Sequence, residues 1–190
     1  MLISFIGCPS SGKTTTAAML FARLKEMGIP AEFICEEARI YIARMRYEKG
    51  LEPSDPLSLS DEDQMNIMEG QLTSEDVMST VCGPDLVIVT DSSPLNSLLY
   101  MSQECRERSF VSDMIGNCRA DVVFYLPPVS MPKTLDPNRV HGEAASRAID
   151  SLIPEVIAKF APEVHMFPLV GDPANRLSQA VREVLKRFHD

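Results

Sequence analysis

Short apolar runs alternate along this chain with longer stretches in which apolar side chains recur every three to four positions. The first run, Leu2 to Ile6, is apolar but for Ser4 and ends on a glycine, the pattern of a buried strand. From Lys13 to Met27 the apolar positions Ala17, Leu20, Phe21, Leu24 and Met27 trace one helical face, with Gly28 placed to stop it. Ala31 to Cys35 predicts a second strand, and Glu36 to Lys49 a second helix closed by Gly50. Leu86 to Thr90 and Val122 to Leu126, each preceded by an aspartate, are β-branched-rich strand candidates, and Val164 to Val170 is a fifth. Asn175 to Phe188 predicts a closing helix, with Leu177, Val181, Val184, Leu185 and Phe188 on one face. Strands alternating with helices predict an α/β fold. Its centre is a five-stranded, mainly parallel sheet covered by helices on both faces, a three-layer sandwich.

Two stretches interrupt the alternation. Glu52 to Thr80 opens Pro-rich and continues as one or two acidic helices containing Met65, Met68, Leu72 and Val77, the methionines reading as core filler. The loop after the fourth strand carries four prolines and the basic residues Lys133 and Arg139. A polar loop of that length in a compact domain suits a lid over about residues 127–147, or an ordinary surface loop.

Length and charge narrow the picture. At 190 residues the chain is read as a single domain, 1–190, without internal repeats. The net charge is −9, and no Lys or Arg lies between Lys49 and Arg106, where eleven acids fall. That gap reads as a solvated acidic helical face and argues against a broad nucleic-acid surface, which needs clustered cations. No apolar run reaches the ~20 residues of a membrane span, and the N-terminus lacks the basic start of a signal peptide. The five cysteines form no CxxC pair, so no disulfide or zinc frame is expected. A reduced, cytoplasmic protein is the expectation.

The residues with the clearest chemistry are Gly7-Cys8-Pro9-Ser10-Ser11-Gly12-Lys13-Thr14, which fit G-x-x-x-x-G-K-[ST] at every fixed position between a strand and a helix. Such a loop wraps successive backbone N–H groups around a phosphate at the positive end of a helix. The Walker A motif predicts binding of a nucleoside triphosphate through Gly7, Ser10, Ser11, Gly12, Lys13, Thr14 and Thr15. Lys13 supplies a cation to the β- and γ-phosphates and the Thr14 hydroxyl a ligand for Mg²⁺.

Phosphoryl transfer also needs acids at the carboxyl ends of strands, where ligands of open parallel sheets bind. Asp91 directly follows the third strand, and two readings are open: an acid on Mg²⁺, or the N-cap of a helix beginning at Pro94, a role Ser92 could take instead. Glu36 and Glu37 follow the second strand, with Arg39 one turn on; either glutamate suits a base for an acceptor hydroxyl or a favourable charge on the helix dipole. Lys133, Arg139 and Arg147 are lid cations by position, with Arg139 placed to neutralise charge in the transition state.

These residues together resemble the P-loop kinases related to the ribosylnicotinamide kinase domain of NadR, within the AAA_28-like ATPase and kinase group. The resemblance spans nearly the whole chain. It rests on the Walker A loop, Glu36-x-Ala38-Arg39, Gln71, Asp91, Asp136-Pro137-Asn138-Arg139, and Gly171-Asp172 followed by Arg176. It implies a nucleoside/nucleotide-kinase-like fold, with acceptor-side helices over about 52–80 and a lid. Glu36, Glu37, Arg39, Gln71 and Arg147 would serve the acceptor, Glu36 as base by its place in the E-x-A-R pattern, and Arg176 would lie near the adenine. The chain departs from the group in Ser92-Ser93-Pro94 after Asp91 and in its Pro-rich lid.

The leading functional expectation is an ATP- and Mg²⁺-dependent kinase of a nucleoside- or nucleotide-like acceptor. One alternative within the class is phosphorylation of a hydroxymethylated base or an end of DNA, gripped by a local groove of Arg39, Arg44 and Arg46, with nucleic acid entering only as a substrate. The alternative from another class is a P-loop ATPase or nucleotide switch with no acceptor. No guanine-specificity NKxD element is present, which disfavours a GTPase.

Overall fold

The computed structural model describes residues 1–83, 85–128 and 143–188. Its strands are β1 (Leu2–Ile6), β2 (Ala31–Ile34), β3 (Val87–Thr90), β4 (Val122–Tyr125) and β5 (Met166–Pro168). They form one sheet in the order β2-β3-β1-β4-β5, every pairing parallel. Seven helices are described: α1 (Lys13–Glu26), α2 (Glu37–Lys49), α3 (Asp61–Cys82), α4 (Gln103–Arg106), α5 (Ser109–Gly116), α6 (Glu143–Phe160) and α7 (Pro173–Phe188). β1 lies between β3 and β4, so the chain reverses its winding there, and the crevice at the carboxyl ends of these strands is the natural ligand position. Among the described residues no helix is long and apolar enough to cross a membrane.

Strand alternation divides the interior in two. Ile3 and Phe5 of β1, with Val87, Val89, Val122 and Phe124, pack against Leu20 and Leu24 of α1 and Ala180 and Val184 of α7. Phe5 and Phe124 meet at 5.4 Å between ring centroids. On the opposite face Ile6 and Val123 pack against Met68 of α3, Leu98, Ile115 of α5 and Ile153 of α6. Met68 is fully buried and Met65 packs against the same cluster, so these two methionines fill core as expected, whereas Met27 is exposed.

The structure revises several sequence expectations. The Glu52–Thr80 stretch holds a single long helix, α3, opened by a capping box between Ser60 and Asp63. Val77 on it is exposed. The acidic helix is not merely a solvated face: Glu75 is buried, and Asp61 accepts from the backbone N–H and hydroxyl of Ser102 at 2.7 and 2.6 Å. The helix after β3 is a buried 3₁₀ turn, Pro94–Leu99, and neither Asp91 nor Ser92 caps it. Ser93 does, its Oγ accepting from the Leu95 N–H at 3.3 Å, one residue before a proline in the first helical turn. Phe188 is exposed, and the inner face of α7 runs through Arg176, Ala180 and Val184. All five cysteines are free.

Candidate active site

The phosphate loop follows from its sequence almost residue by residue. At Gly7 a Cβ would stand 2.7 Å from the Leu126 carbonyl and 2.8 Å from Ser11 Oγ, so only glycine lets β1 turn here beside β4. Ser10 (φ 67°) and Gly12 (φ 93°) take left-handed backbone conformations, curling the loop before α1 begins at Lys13. The Lys13 ammonium folds back over the loop and donates to the Gly7 and Cys8 carbonyls at 2.8 and 3.0 Å. Thr14 and Thr15 stand exposed in the first turn of α1.

Arg176 braces the loop from beneath. It is 2 % exposed, and its two terminal nitrogens donate to the Ser11 carbonyl at 2.5 Å and the Pro127 carbonyl at 2.9 Å. The guanidinium thus joins α7 to the phosphate loop and to the end of β4 through backbone carbonyls.

Opposite the loop, Glu36, Asp91 and Lys13 come together. Glu36 occupies the N-cap position of α2, yet its side chain caps no N–H and pairs with Arg39 at 3.7 Å. Burial pushes the Glu36 carboxyl up, Asp91 adds to this, and Lys13 and Arg39 oppose it. Burial also pushes Asp91 up, against the pull of a hydrogen bond from the Thr14 hydroxyl and of the Arg39 and Lys13 charges. Lys13 is pulled down by burial, with Glu36 the foremost opposing charge. The three groups therefore sense one another: desolvation pushes each toward neutrality, Lys13 draws both carboxylates back toward charge, and they do the same for Lys13.

Thr14 and Asp91 are adjacent, and Asp91 Oδ1 is buried without a hydrogen-bond partner among the described residues. A hydroxyl beside a carboxylate oxygen with an unused lone pair suits a hard divalent cation such as Mg²⁺. Among the described residues no group of three or more His, Cys, Asp or Glu converges.

A cleft of about 30 Å³ opens between α2, α3 and the 3₁₀ turn, walled by Glu36, Ala38, Gln64, Ile67, Ser97 and Tyr100. The Tyr100 phenol is pushed up by burial and then by the Glu36 carboxylate. Gln71 also lines the cleft, but its carboxamide is engaged within the protein: Oε1 accepts from the Glu37 N–H at 3.1 Å, and Nε2 donates to Glu75 Oε1 at 3.1 Å and Thr90 Oγ1 at 2.8 Å. Glu37 itself packs on α3, where a Cβ at Gly70 would lie 2.8 Å from its Cγ. Gln64, which sequence reasoning misses, is 6 % exposed, faces the cleft and has no side-chain hydrogen bond among the described residues. Tyr100, Ser92 and Asn96 are missed as cleft residues in the same way. The signal that could find Gln64 is helical phase on α3: Gln64, Ile67, Met68, Gln71 and Glu75 form one buried stripe, so polar residues there point inward.

The remaining expected residues are dispersed. Arg39 is half exposed beside Glu36. Arg147 stands on the exposed side of α6, whose Asp150 accepts from the Tyr125 hydroxyl at 3.0 and 3.1 Å. Lys133, Arg139, the Asp136–Arg139 segment and, of the lid expected over about 127–147, residues 129–142 lie outside the described residues. The three-arginine groove does not form. Arg46 is buried, and its guanidinium donates to the Glu52 and Asp55 carbonyls at 2.6 and 3.0 Å, closing the loop after α2.

The family model of an AAA domain, AAA_28, matches residues 2–176. NadR in complex with NR superposes with a TM-score of 0.71 at 20 % identity, covering all of this chain and 52 % of that one. NadR with NAD and AMP-PNP gives 0.70 at 19 %, covering all of this chain and 49 % of that one. This chain thus spans about half the length of the NadR chains it matches. Deoxyadenosine kinase from M. mycoides, with products dCMP and a flexible dCDP bound, gives 0.59 at 16 % identity, covering 98 % of this chain and all of that one. At such identities the likeness establishes the fold alone, which this chain shares with NadR and with the deoxyadenosine kinase. No curated protein sequence matches the chain.

Proposed function

The chain belongs to the AAA_28 family of AAA domains, and from that premise we propose that it is a P-loop kinase. It transfers the γ-phosphoryl group of ATP, with Mg²⁺, to a hydroxyl of a nucleoside- or nucleotide-like acceptor. The observation that carries this reading is the grouping of Glu36 with Lys13 and Asp91 at the phosphate loop, with an unspent carboxamide on the small cleft beside Glu36. Glu36 is held near Lys13 and Asp91 without serving as a cap, and Gln64 is buried there without a partner among the described residues. A nucleotide switch needs neither.

In this mechanism Glu36 accepts the proton of the acceptor hydroxyl as its oxygen bonds to the γ-phosphorus. The bond to the β–γ bridging oxygen breaks, and ADP leaves with those electrons. A raised carboxyl pKa brings the base closer to working pH, which favours proton transfer. Lys13 moves its ammonium from the loop carbonyls to the phosphates and balances their charge. Mg²⁺ would be held by Thr14 and Asp91, and when bound it neutralises charge on the phosphate oxygens. Arg176 holds the loop that cradles those phosphates. Gln64, donor and acceptor together, suits the polar edge of a base or a carboxamide. NadR with NR and a deoxyadenosine kinase among the structural neighbours support a nucleoside-like acceptor.

The test is ADP release from ATP and Mg²⁺ against a panel of nucleosides, nucleotides, ribosylnicotinamide and hydroxymethylated DNA. We expect one nucleoside-like compound to stimulate release and to gain the mass of a phosphoryl group. Steady release indifferent to every acceptor overturns the kinase reading in favour of an ATPase or switch. Stimulation by the DNA alone moves the acceptor onto nucleic acid.

A further inference from the structure

A continuous line of buried polar side chains runs from α3 to the first residue of the phosphate loop. Gln71, Thr90, Ser92 and Asn96 on this line are at most 8 % exposed. Gln71 accepts the Glu37 N–H and donates to Thr90 Oγ1 at 2.8 Å, and the Thr90 hydroxyl donates its own proton to the Ser92 carbonyl at 2.9 Å. Asn96 donates to Ser92 Oγ at 2.9 Å and to the Phe5 carbonyl at 3.1 Å, while its Oδ1 faces the Gly7 N–H at a long 3.4 Å. The direction of every bond is dictated. Both Gln71 hydrogens are spent on Glu75 and Thr90, so its oxygen must face Glu37, and Thr90 must accept from Gln71 while it donates to Ser92.

Besides this line, the Tyr41 hydroxyl ties α2 to α3, donating to Asp63 Oδ1 at 2.8 Å and accepting from Asn66 at 3.4 Å, but α2 has few apolar anchors. Its one buried residue is Arg46, at the far end from Glu36, so no buried apolar side chain anchors the end that carries the proposed base. The start of α2 is held by the Glu37 N–H on Gln71 and by the Glu37 stem against Gly70. Thr90 ends the strand that leads into Asp91, and Asn96 touches the residue that opens the phosphate loop. Polar bonds in a dry interior are stiff and expensive to leave unmade, so the line fixes distances in a way that exposed contacts do not.

We infer that Gln71 and Thr90 are positioning residues, which set Glu36 at a fixed distance from Asp91 and the phosphate loop. Their catalytic role rests on the kinase reading above. Neither side chain donates to or accepts from a substrate in this arrangement; both act through Glu37 and Ser92. Proton transfer from an acceptor hydroxyl to the base, as that oxygen bonds to phosphorus, tolerates errors of only about 0.5 Å, so loosening α2 slows chemistry while leaving ATP bound.

Thr90 allows the cleanest test, since Thr90→Val is nearly isosteric and favourable in a strand, whereas Thr90→Ser keeps the hydroxyl. Turnover, KM for ATP and melting temperature are measured for both variants with the acceptor found in the panel. Hydrogen exchange of peptides covering residues 7 and 37 is followed in parallel. We expect Thr90→Val to lower kcat about tenfold or more with KM for ATP within about threefold, and to speed exchange at Glu37. Thr90→Ser should restore both. A Thr90→Val variant with wild-type kcat, or failure of Thr90→Ser to rescue, overturns the positioning role. Exchange separates the two ideas. If the wild type lacks acceptor-dependent turnover, the kinase reading falls and the catalytic role falls with it. Unchanged exchange at Glu37 in Thr90→Val overturns the line itself, whatever the activity.

Discussion

The phosphate loop and the proposed acceptor cleft sit side by side at the carboxyl ends of the strands, but they are built in opposite ways. The loop is eight consecutive residues, and its geometry follows from local backbone chemistry at Gly7, Ser10 and Gly12. The cleft gathers Glu36, Gln64 and Tyr100 from three separate elements and is held by a buried polar line whose members span Glu37 to Asn96. A short-range site is robust and general, since any nucleoside triphosphate offers it the same phosphates. A long-range site can be tuned to one acceptor by single substitutions. Changes in the loop should therefore remove activity toward every acceptor, and changes in the cleft should alter one kinetic parameter at a time.

The largest expected effect is that of Lys13→Ala, which removes the loop's cation. Turnover should fall by about 10³-fold or more with every acceptor, the melting temperature staying within a few degrees of wild type. Retained turnover would falsify the assignment of the loop as the reacting end. Glu36→Gln comes next. It should lower kcat by about 10²–10⁴-fold while ATP affinity, read by titration calorimetry, stays within about threefold. Because Glu36 must be ionised to act and its pKa is raised, wild-type activity should climb as pH rises through that pKa, and the variant should lose this limb. Loss of stability without a kcat effect would reduce Glu36 to a helix-end charge.

Gln64→Leu should raise the acceptor's KM by roughly 5- to 100-fold, the worth of one lost buried hydrogen bond, with KM for ATP unchanged. An equal rise in both constants would mean that the cleft and the loop are not separable.

The smallest effect concerns stability. Burial pushes the Glu75 carboxyl from its ordinary 4.5 up to about 7, so the folded state resists its ionisation. Below pH 4.5 the group is protonated in both states and costs nothing. As pH rises toward 7 the unfolded chain releases its proton first, and the folded state loses up to about 3 kcal/mol. Glu75→Gln, which retains an acceptor for Gln71, should thus raise the melting temperature at about pH 8 and leave it nearly unchanged at about pH 4. A shift of equal size at both values would place the cause in packing rather than charge.

Much of this architecture is legible in the amino-acid sequence alone. Strand positions emerge within a residue or two for the four strands nearest the loop, because buried parallel strands are written as short unbroken apolar runs. The Walker loop is legible because its constraint is local. The stretch between β3 and β4 is not: Pro94–Leu99, α4 and α5 are too short to display a full helical period, and the cap falls on Ser93 rather than Asp91 or Ser92. Gln71 can be matched to a family pattern, but the pattern does not say whether an amide in an apolar stripe faces a ligand or a neighbouring helix. Arg46 shows the same gap. As a sequence it is one of three arginines on a helix, and only the loop folding back to offer it two carbonyls removes it from the surface.

By itself, then, the sequence determined the alternation of strands and helices, the parallel sheet and the phosphate loop. Each depends on residues within one turn or one strand of each other, where sterics and hydrophobic period act directly. The tertiary structure alone decided which glutamate stands near Lys13 without a cap, which glutamine is spent and which is not, and how α2 is tied to β3. Those choices are made by hydrogen bonds between residues distant in the chain, such as Gly7 and Asn96, which stand 89 positions apart. In a dry interior each donor must find its acceptor across the fold, and no local pattern records that pairing.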